Sequence, residues 1–259
     1  MSFKIIDAHM HLGPRPARMV PDQTVESLIA SMDHLGIERC ISANRLSMMG
    51  QYEEGLASDL AASKKADGRI YSFCLFDTRT PQQDLDSILS HKDDQLCVGL
   101  KVLPINDSTD ADSEQYRPLW EVARKVDKAI MAHTWDVSTY NPTQKYAVAG
   151  KFEKWLAEYP DVNFVFGHCG GRYNGMKQAI ALGRKYPNAY FHITGDLWQT
   201  GFLEELVENV GADRVLYGSD YTMIEQRPML GVVYGANIPN VDKEKILYHT
   251  AARIYFHEE

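Results

Sequence analysis

No segment of this sequence approaches the ~20 consecutive apolar residues that a membrane-spanning helix needs. Cysteine is scarce: Cys40, Cys74, Cys97 and Cys169 are the whole supply, and no two form a CxxC pair. Three of them sit inside apolar runs. They read as reduced, buried thiols, and the expected compartment is cytoplasmic. A basic excess is also missing. The 27 Lys and Arg are outnumbered by 35 Asp and Glu, giving a formal net charge of -8, so nucleic acid is not expected as a partner. The first residues lead directly into a strand-like run, so no secretory leader is expected. Linkers, low-complexity tracts and internal repeats are absent, and residues 1–259 read as one domain.

What the chain does have is alternation. Eight short apolar runs fall at Lys4–His11, Glu38–Ala43, Ile70–Phe76, Cys97–Leu103, Ala129–Trp135, Val162–His168, Ala189–Thr194 and Arg214–Asp220. Each is bounded by loop residues and reads as a strand. Between them lie amphipathic segments. In the first, Val25, Leu28, Ile29, Met32 and Leu35 form one helical stripe, and Gly36 stands where a C-terminal cap belongs. Further helices are expected near Tyr52–Lys65, Pro81–Ser90, Gln115–Lys128, Thr143–Tyr159, Tyr173–Tyr186, Phe202–Val210 and Asp242–Phe256. Eight strands alternating with helices over ~250 residues predict a (β/α)8 TIM barrel of the α/β class. An open doubly wound sheet binding a dinucleotide would want a glycine-rich turn after its first strand, and the sequence there is HMHLGPRP.

The unusual polar residues obey the geometry of such a barrel, whose sites lie at the C-terminal strand ends. His9 and His11 end the first strand. A strand repeats every two residues, so the two imidazoles share a face, ~7 Å apart, with Asp7 expected beside them. Lys101 lies near the end of the fourth strand, His133 near the end of the fifth, His168 at the end of the sixth and Asp220 at the end of the eighth. Alternation points Lys101 and His133 into the barrel. One such histidine is ordinarily a core residue. Four of them with an acid, all at one end of a barrel, predict a divalent-metal site.

These segments resemble the amidohydrolase superfamily, and more closely its amidohydrolase-2 branch of small hydrolases and decarboxylases. The resemblance rests on Asp7-Ala8-His9-Met10-His11, Gly99-Leu100-Lys101-Val102-Leu103-Pro104, His133, His168-Cys169-Gly170-Gly171 and Tyr217-Gly218-Ser219-Asp220-Tyr221, and covers essentially the whole chain. Thr222 stands where that branch often has proline. The resemblance implies that His9, His11, His133 and Asp220 hold one divalent ion, zinc being the favoured choice for three imidazoles and a carboxylate. Such an ion lowers the pKa of a bound water and polarises a carbonyl. Asp220 and His168 are then the expected catalytic acid/base groups, with His168 titrating near working pH. Lys101 stays open: carboxylated, it bridges a second ion held also by His133 and His168. Unmodified, it attracts an anionic substrate or pairs with Asp7 or Asp220.

Asp7 is expected to orient an imidazole through a hydrogen bond. His192 is assigned to the core or to a supporting role, and His34, His91, His249 and His257 to the surface. Substrate-binding candidates in the loops are Arg15, Arg45, Trp135, Arg172 and Tyr221, with Arg18, Met48, Met49 and Trp198 beside them. The arginines suit a carboxylate or phosphate unless they are simply solvated. The expected partner is a small molecule. Short loops leave room for a pocket completed by a second copy in a homodimer. The first expectation for the reaction is hydrolysis of a small anionic substrate. The alternative is non-oxidative decarboxylation of an aromatic or unsaturated acid, and a third is a non-catalytic metal-binding barrel.

Overall fold

The computed structural model describes residues 3–13, 22–195 and 199–258. Eight strands pair in parallel and in sequence order: β1 (Ile5–Met10), β2 (Ile37–Ser42), β3 (Ile70–Phe76), β4 (Cys97–Val102), β5 (Ile130–His133), β6 (Phe164–Gly167), β7 (Ala189–Ile193) and β8 (Val215–Tyr217). The ring closes where β8 returns to β1. There the Asp220 N–H donates to the His9 carbonyl at 2.9 Å, and the His11 N–H donates to the Tyr221 carbonyl. The expected TIM barrel is the fold. Among the described residues, no helix is long and apolar enough to cross a membrane.

Local chemistry sets the outer elements. Helix Val25–Leu35 starts at Thr24, whose hydroxyl accepts from the Ser27 N–H, and ends at Gly36 with φ 72. Its buried positions are Leu28 and Met32. The strands then sort their side chains by parity. Ile6, Ala8, Ile41, Phe73, Met131, Val165 and Leu216 fill the barrel interior, and Tyr255 from the last helix joins them. Ile5, Cys40, Leu100, Ile130, Phe164 and Phe191 pack outward against the helices. Each large apolar side chain so buried contributes roughly 1.5–3 kcal/mol, which is why the register does not slip.

Three expected helices differ in detail. Thr143–Tyr159 is not one helix. Val148 is extended, with φ −64 and ψ 135, and separates one 3₁₀ turn, Pro142–Ala147, from a second, Ala149–Phe152, that runs into a short helix at Glu153–Glu158. Gln115–Lys128 begins as a 3₁₀ turn before the α-helix Arg117–Val126. The last helix passes through a π turn at Lys245–His249. Helix Arg227–Gly235 and the short turns Arg45–Met48 and Pro104–Asp107 lacked a readable stripe. The eighth strand is shorter than its apolar run: the Gly218 N–H still donates to the Ile193 carbonyl of β7, and Ser219 and Asp220 then turn to the His9 carbonyl and close the barrel.

Candidate active site

The floor of the site is assembled from five strands. His9 and His11 project from the end of β1 with ring centroids 4.8 Å apart. The strand manages this through an irregularity in its pairing with β2 between Asp7 and Met10. That irregularity turns Asp7 away from the histidine face, correcting the expectation that it orients an imidazole. Its Oδ2 accepts from Ser219 Oγ at 2.6 Å and Gln226 Nε2 at 3.0 Å. Its Oδ1 accepts from Ser219 N at 2.9 Å and His9 N at 3.4 Å. Asp7 therefore ties the end of β8 to β1 and fixes the backbones that carry His9 and Asp220. Burial pushes its carboxyl up to about 6, against the Ser219 and Gln226 hydrogen bonds.

His11 is held through Nδ1, 2.7 Å from the Ala43 carbonyl. With the proton there, the lone pair of Nε2 faces Asp220 Oδ1 at 3.0 Å. Two electron-rich atoms this close is the arrangement that a shared cation stabilises. Burial raises the Asp220 carboxyl; a proton on His11 Nε2 in place of that cation, with His168 and Lys101 nearby, outweighs burial and holds it below the usual range. Lys101 is 1% exposed, and its Nζ lies 3.1 Å from His9 Nε2. Burial pulls the ammonium down to about 7, with Asp220 opposing.

His168 leads a run of four left-handed residues: His168 (φ 60), Cys169 (φ 50), Gly170 (φ 80) and Gly171 (φ 86). Two of these are not glycine, a conformation that persists only where surroundings enforce it. They do so here. The Gly171 N–H donates to the His168 carbonyl at 2.7 Å, the Gly170 N–H to Thr134 Oγ1 at 3.0 Å, and Cys169 Sγ to the His192 carbonyl at 3.3 Å. The turn aims the His168 ring at the floor, 4.9 Å from the His133 ring and edge-on to Trp135 at 5.3 Å.

His9, His168 and Asp220 offer ligand atoms that all lie within 4.8 Å of one another, and all three are buried. His133 sits beside this group, with Nε2 3.0 Å from Gln144 Oε1. Burial keeps the imidazoles neutral: His133 falls to about 4, His168 to about 3, and His9 and His192 well below the ordinary value. This differs from the expectation of a His168 that titrates near working pH. Neutral imidazoles beside an ionised carboxylate are the donor set a borderline divalent ion requires. Among the described residues, two further buried nitrogens, His9 Nδ1 and His168 Nδ1, have no hydrogen-bond partner. The residues present therefore fit a metal ion.

Above the floor is a cavity of ≈300 Å³. His9, His11, Lys101, His133, His168 and Asp220 form its base, and Met48, Leu103, Ile105, Asn106, Asn141, Gln144 and Met223 its walls. The substrate-binding candidates fare unevenly. Trp135 stands behind His168. Arg45 is buried, with a guanidinium nitrogen 2.7 Å from the sulfur of Met223, one step behind the wall. Tyr221 is buried at the barrel seam, and its hydroxyl donates to the Asp22 carbonyl at 3.2 Å. It holds the fold together and is not among the lining residues. Arg172 is exposed at the start of helix Tyr173–Lys185 and does not line the cavity. Arg15, Arg18 and Trp198 lie outside the described residues. Met49 points to solvent, whereas Met48 reaches the wall. Gln144, Asn106 and Asn141 were missed because a lone amide has no periodicity or spacing to read.

The Amidohydrolase family model matches residues 6–256, and the chain belongs to that family of metal-dependent enzymes. No curated protein sequence matches it. Among solved structures, an uncharacterised TIM-barrel protein from Bordetella bronchiseptica superposes with a TM-score of 0.78 at 16% identity, over 97% of this chain and 98% of the other. The 2,6-dihydroxybenzoate decarboxylase from Rhizobium gives 0.74 at 16% identity, covering 100% of both chains. A 5-carboxyvanillate decarboxylase from Novosphingobium aromaticivorans, complexed with manganese and 4-hydroxy-3-methoxy-5-nitrobenzoic acid, gives 0.78 at 14% identity, over 98% and 96%.

Proposed function

We propose that this protein is a metal-dependent lyase that removes CO2, without oxidation, from a small planar carboxylic acid of aromatic or unsaturated type. The observation that carries the reading is the make-up of the cavity: a floor of neutral imidazoles, Asp220 and Lys101 under walls of Met48, Leu103, Ile105 and Met223. A carboxylate placed there is stripped of water, and losing neutral CO2 relieves that cost. The volume of ≈300 Å³ suits a single substituted ring. The names of the two decarboxylases with the same architecture support this reading over hydrolysis, the first expectation from the sequence.

His9, His11, His168 and Asp220 would hold the ion, with His133 kept beside it by the Gln144 oxygen. A divalent ion bound there supplies a Lewis acid that anchors an anionic substrate oxygen. Zinc and manganese both suit this nitrogen and oxygen set. The rest is done by the chain. The apolar walls keep the ring flat and exclude water. Lys101, at the base, attracts the negative charge of the acid. As the bond to the carboxyl carbon breaks, its electron pair stays on the ring carbon, which takes up a proton. Lys101 is the group placed to hold or relay that proton.

The test is a panel of hydroxylated benzoates and unsaturated diacids, run beside lactones and amides of similar size with metal-loaded protein. Release of CO2 with formation of the protonated, ring-intact product is expected. Turnover of a lactone or amide without CO2 from any acid would replace this reading with hydrolysis.

A further inference from the structure

The cavity wall carries two side-chain amides whose oxygens are already committed. Gln144 is 4% exposed, and its Oε1 takes His133 Nε2 at 3.0 Å. Asn141, at the rim, accepts on Oδ1 from the Thr143 hydroxyl at 2.8 Å. Both residues line the cavity, and among the described residues neither amide nitrogen has a hydrogen-bond partner. An amide whose oxygen is held presents its NH2 group. The two sit on one turn, the Gln144 N–H donating to the Asn141 carbonyl at 3.4 Å, so their spacing is fixed. Apart from these donors, the walls are apolar or, at Asn106, occupied in the opposite sense. The Asn106 nitrogen donates to the Met48 carbonyl at 3.4 Å, which leaves its oxygen as the group on offer. The Gln144 nitrogen borders the cavity on an otherwise buried side chain, so it marks where a ligand's acceptor atom belongs.

We propose that Gln144, assisted by Asn141, is the specificity-determining donor of this site: it binds an acceptor oxygen on the substrate ring, phenolate, enolate or carbonyl, remote from the carboxylate held at the floor. The inference rests on the reading of the cavity as a site for planar acids. It adds that the acid must carry a second oxygen substituent to be held well. The same side chain couples recognition to the floor, because its oxygen steadies His133 while its nitrogen takes the ligand.

Gln144→Glu tests this, since it keeps an oxygen for His133 and replaces the donor with a second oxygen. Manganese-loaded wild type is titrated with 4-acetylbenzoate, whose ring carbonyl only accepts, and with benzoate, followed by calorimetry. Wild type should prefer the acid with the ring carbonyl. In Gln144→Glu that preference should fall by about 3- to 10-fold, the contribution of a neutral hydrogen bond. Asn141→Ala, at an exposed position, should lower it by a smaller factor. A residue that merely braces His133 would leave the preference intact in Gln144→Glu. That result, or the absence of a preference in wild type, overturns the proposal. The binding ratio is read without turnover, so loss of the preference supports the proposal even if no acid releases CO2, in which case only the decarboxylase reading fails.

Discussion

Gly218→Ala disturbs the metal floor without touching a candidate ligand. A Cβ at this position would lie 1.7 Å from His192 Nε2 and 2.7 Å from its Cε1. Ordinary contacts between such atoms are about 3.5 Å, so the ring must retreat by roughly 1.5–2 Å. It has little room to do so. His192 is fully buried, and the His9 ring packs edge-on against it at 4.9 Å. Overpacking of this kind costs about 1–3 kcal/mol. At roughly 2 °C per kcal/mol for a chain this long, Tm should fall by about 2–6 °C. His9 takes up the displacement, and a shift of ~1 Å in a group that positions a reaction can cost about 100-fold in rate. Metal retained after dialysis and Tm are the two readouts, and both should fall. In a His192→Ala background the same change should cost less than about 0.5 kcal/mol, because the obstacle is gone. Equal penalties in the two backgrounds would refute the reasoning.

Asp59 offers a pH test away from the metal floor. Burial pushes it up to about 7, against hydrogen bonds from Ser72, Asn44 and Ser42. An acid with a raised folded pKa costs nothing below its unfolded value near 4, and its penalty grows as pH rises and is complete above about 7. About three pKa units correspond to roughly 4 kcal/mol. The stability of wild type relative to Asp59→Asn should therefore fall by about that much between pH 4 and pH 8 in denaturant titrations, and a flat difference would contradict it. His11→Ala should abolish metal retention while the fold persists, because one strand-end imidazole is lost beside an intact core; metal content and circular dichroism check this. Tyr221→Phe should lower stability by about 1 kcal/mol through loss of the hydroxyl bond to Asp22, and leave metal content unchanged. A metal-depleted Tyr221→Phe protein would return Tyr221 to the site.

Much of the site was legible because barrels put chemistry at strand ends. His9, His11, Lys101, His133, His168 and Asp220 were placed there by position alone, and all six meet around one cavity. The pairing irregularity in β1 was not legible. A strict two-residue period puts Asp7 with His9 and His11, whereas the actual strand sends it to Ser219 and Gln226. The arginines suggested anion binding by composition. Yet Arg172 does not line the cavity and Arg45 stands behind Met223. Gln144, one of the amides that line the wall, came from a segment read as helix, where Val148 breaks the pattern.

The sequence by itself determined the alternation of strands and helices, and which end of the barrel carries the imidazoles, since hydrophobic period and strand parity are local properties of the chain. Only the tertiary structure decided which of those groups share a centre. It drew His168 into the tightest cluster with His9 and Asp220, tied His133 to Gln144, and spent Asp7 and Tyr221 on the seam between β8 and β1. Such choices depend on register, left-handed turns and contacts between residues up to 219 positions apart, which no short window of sequence contains.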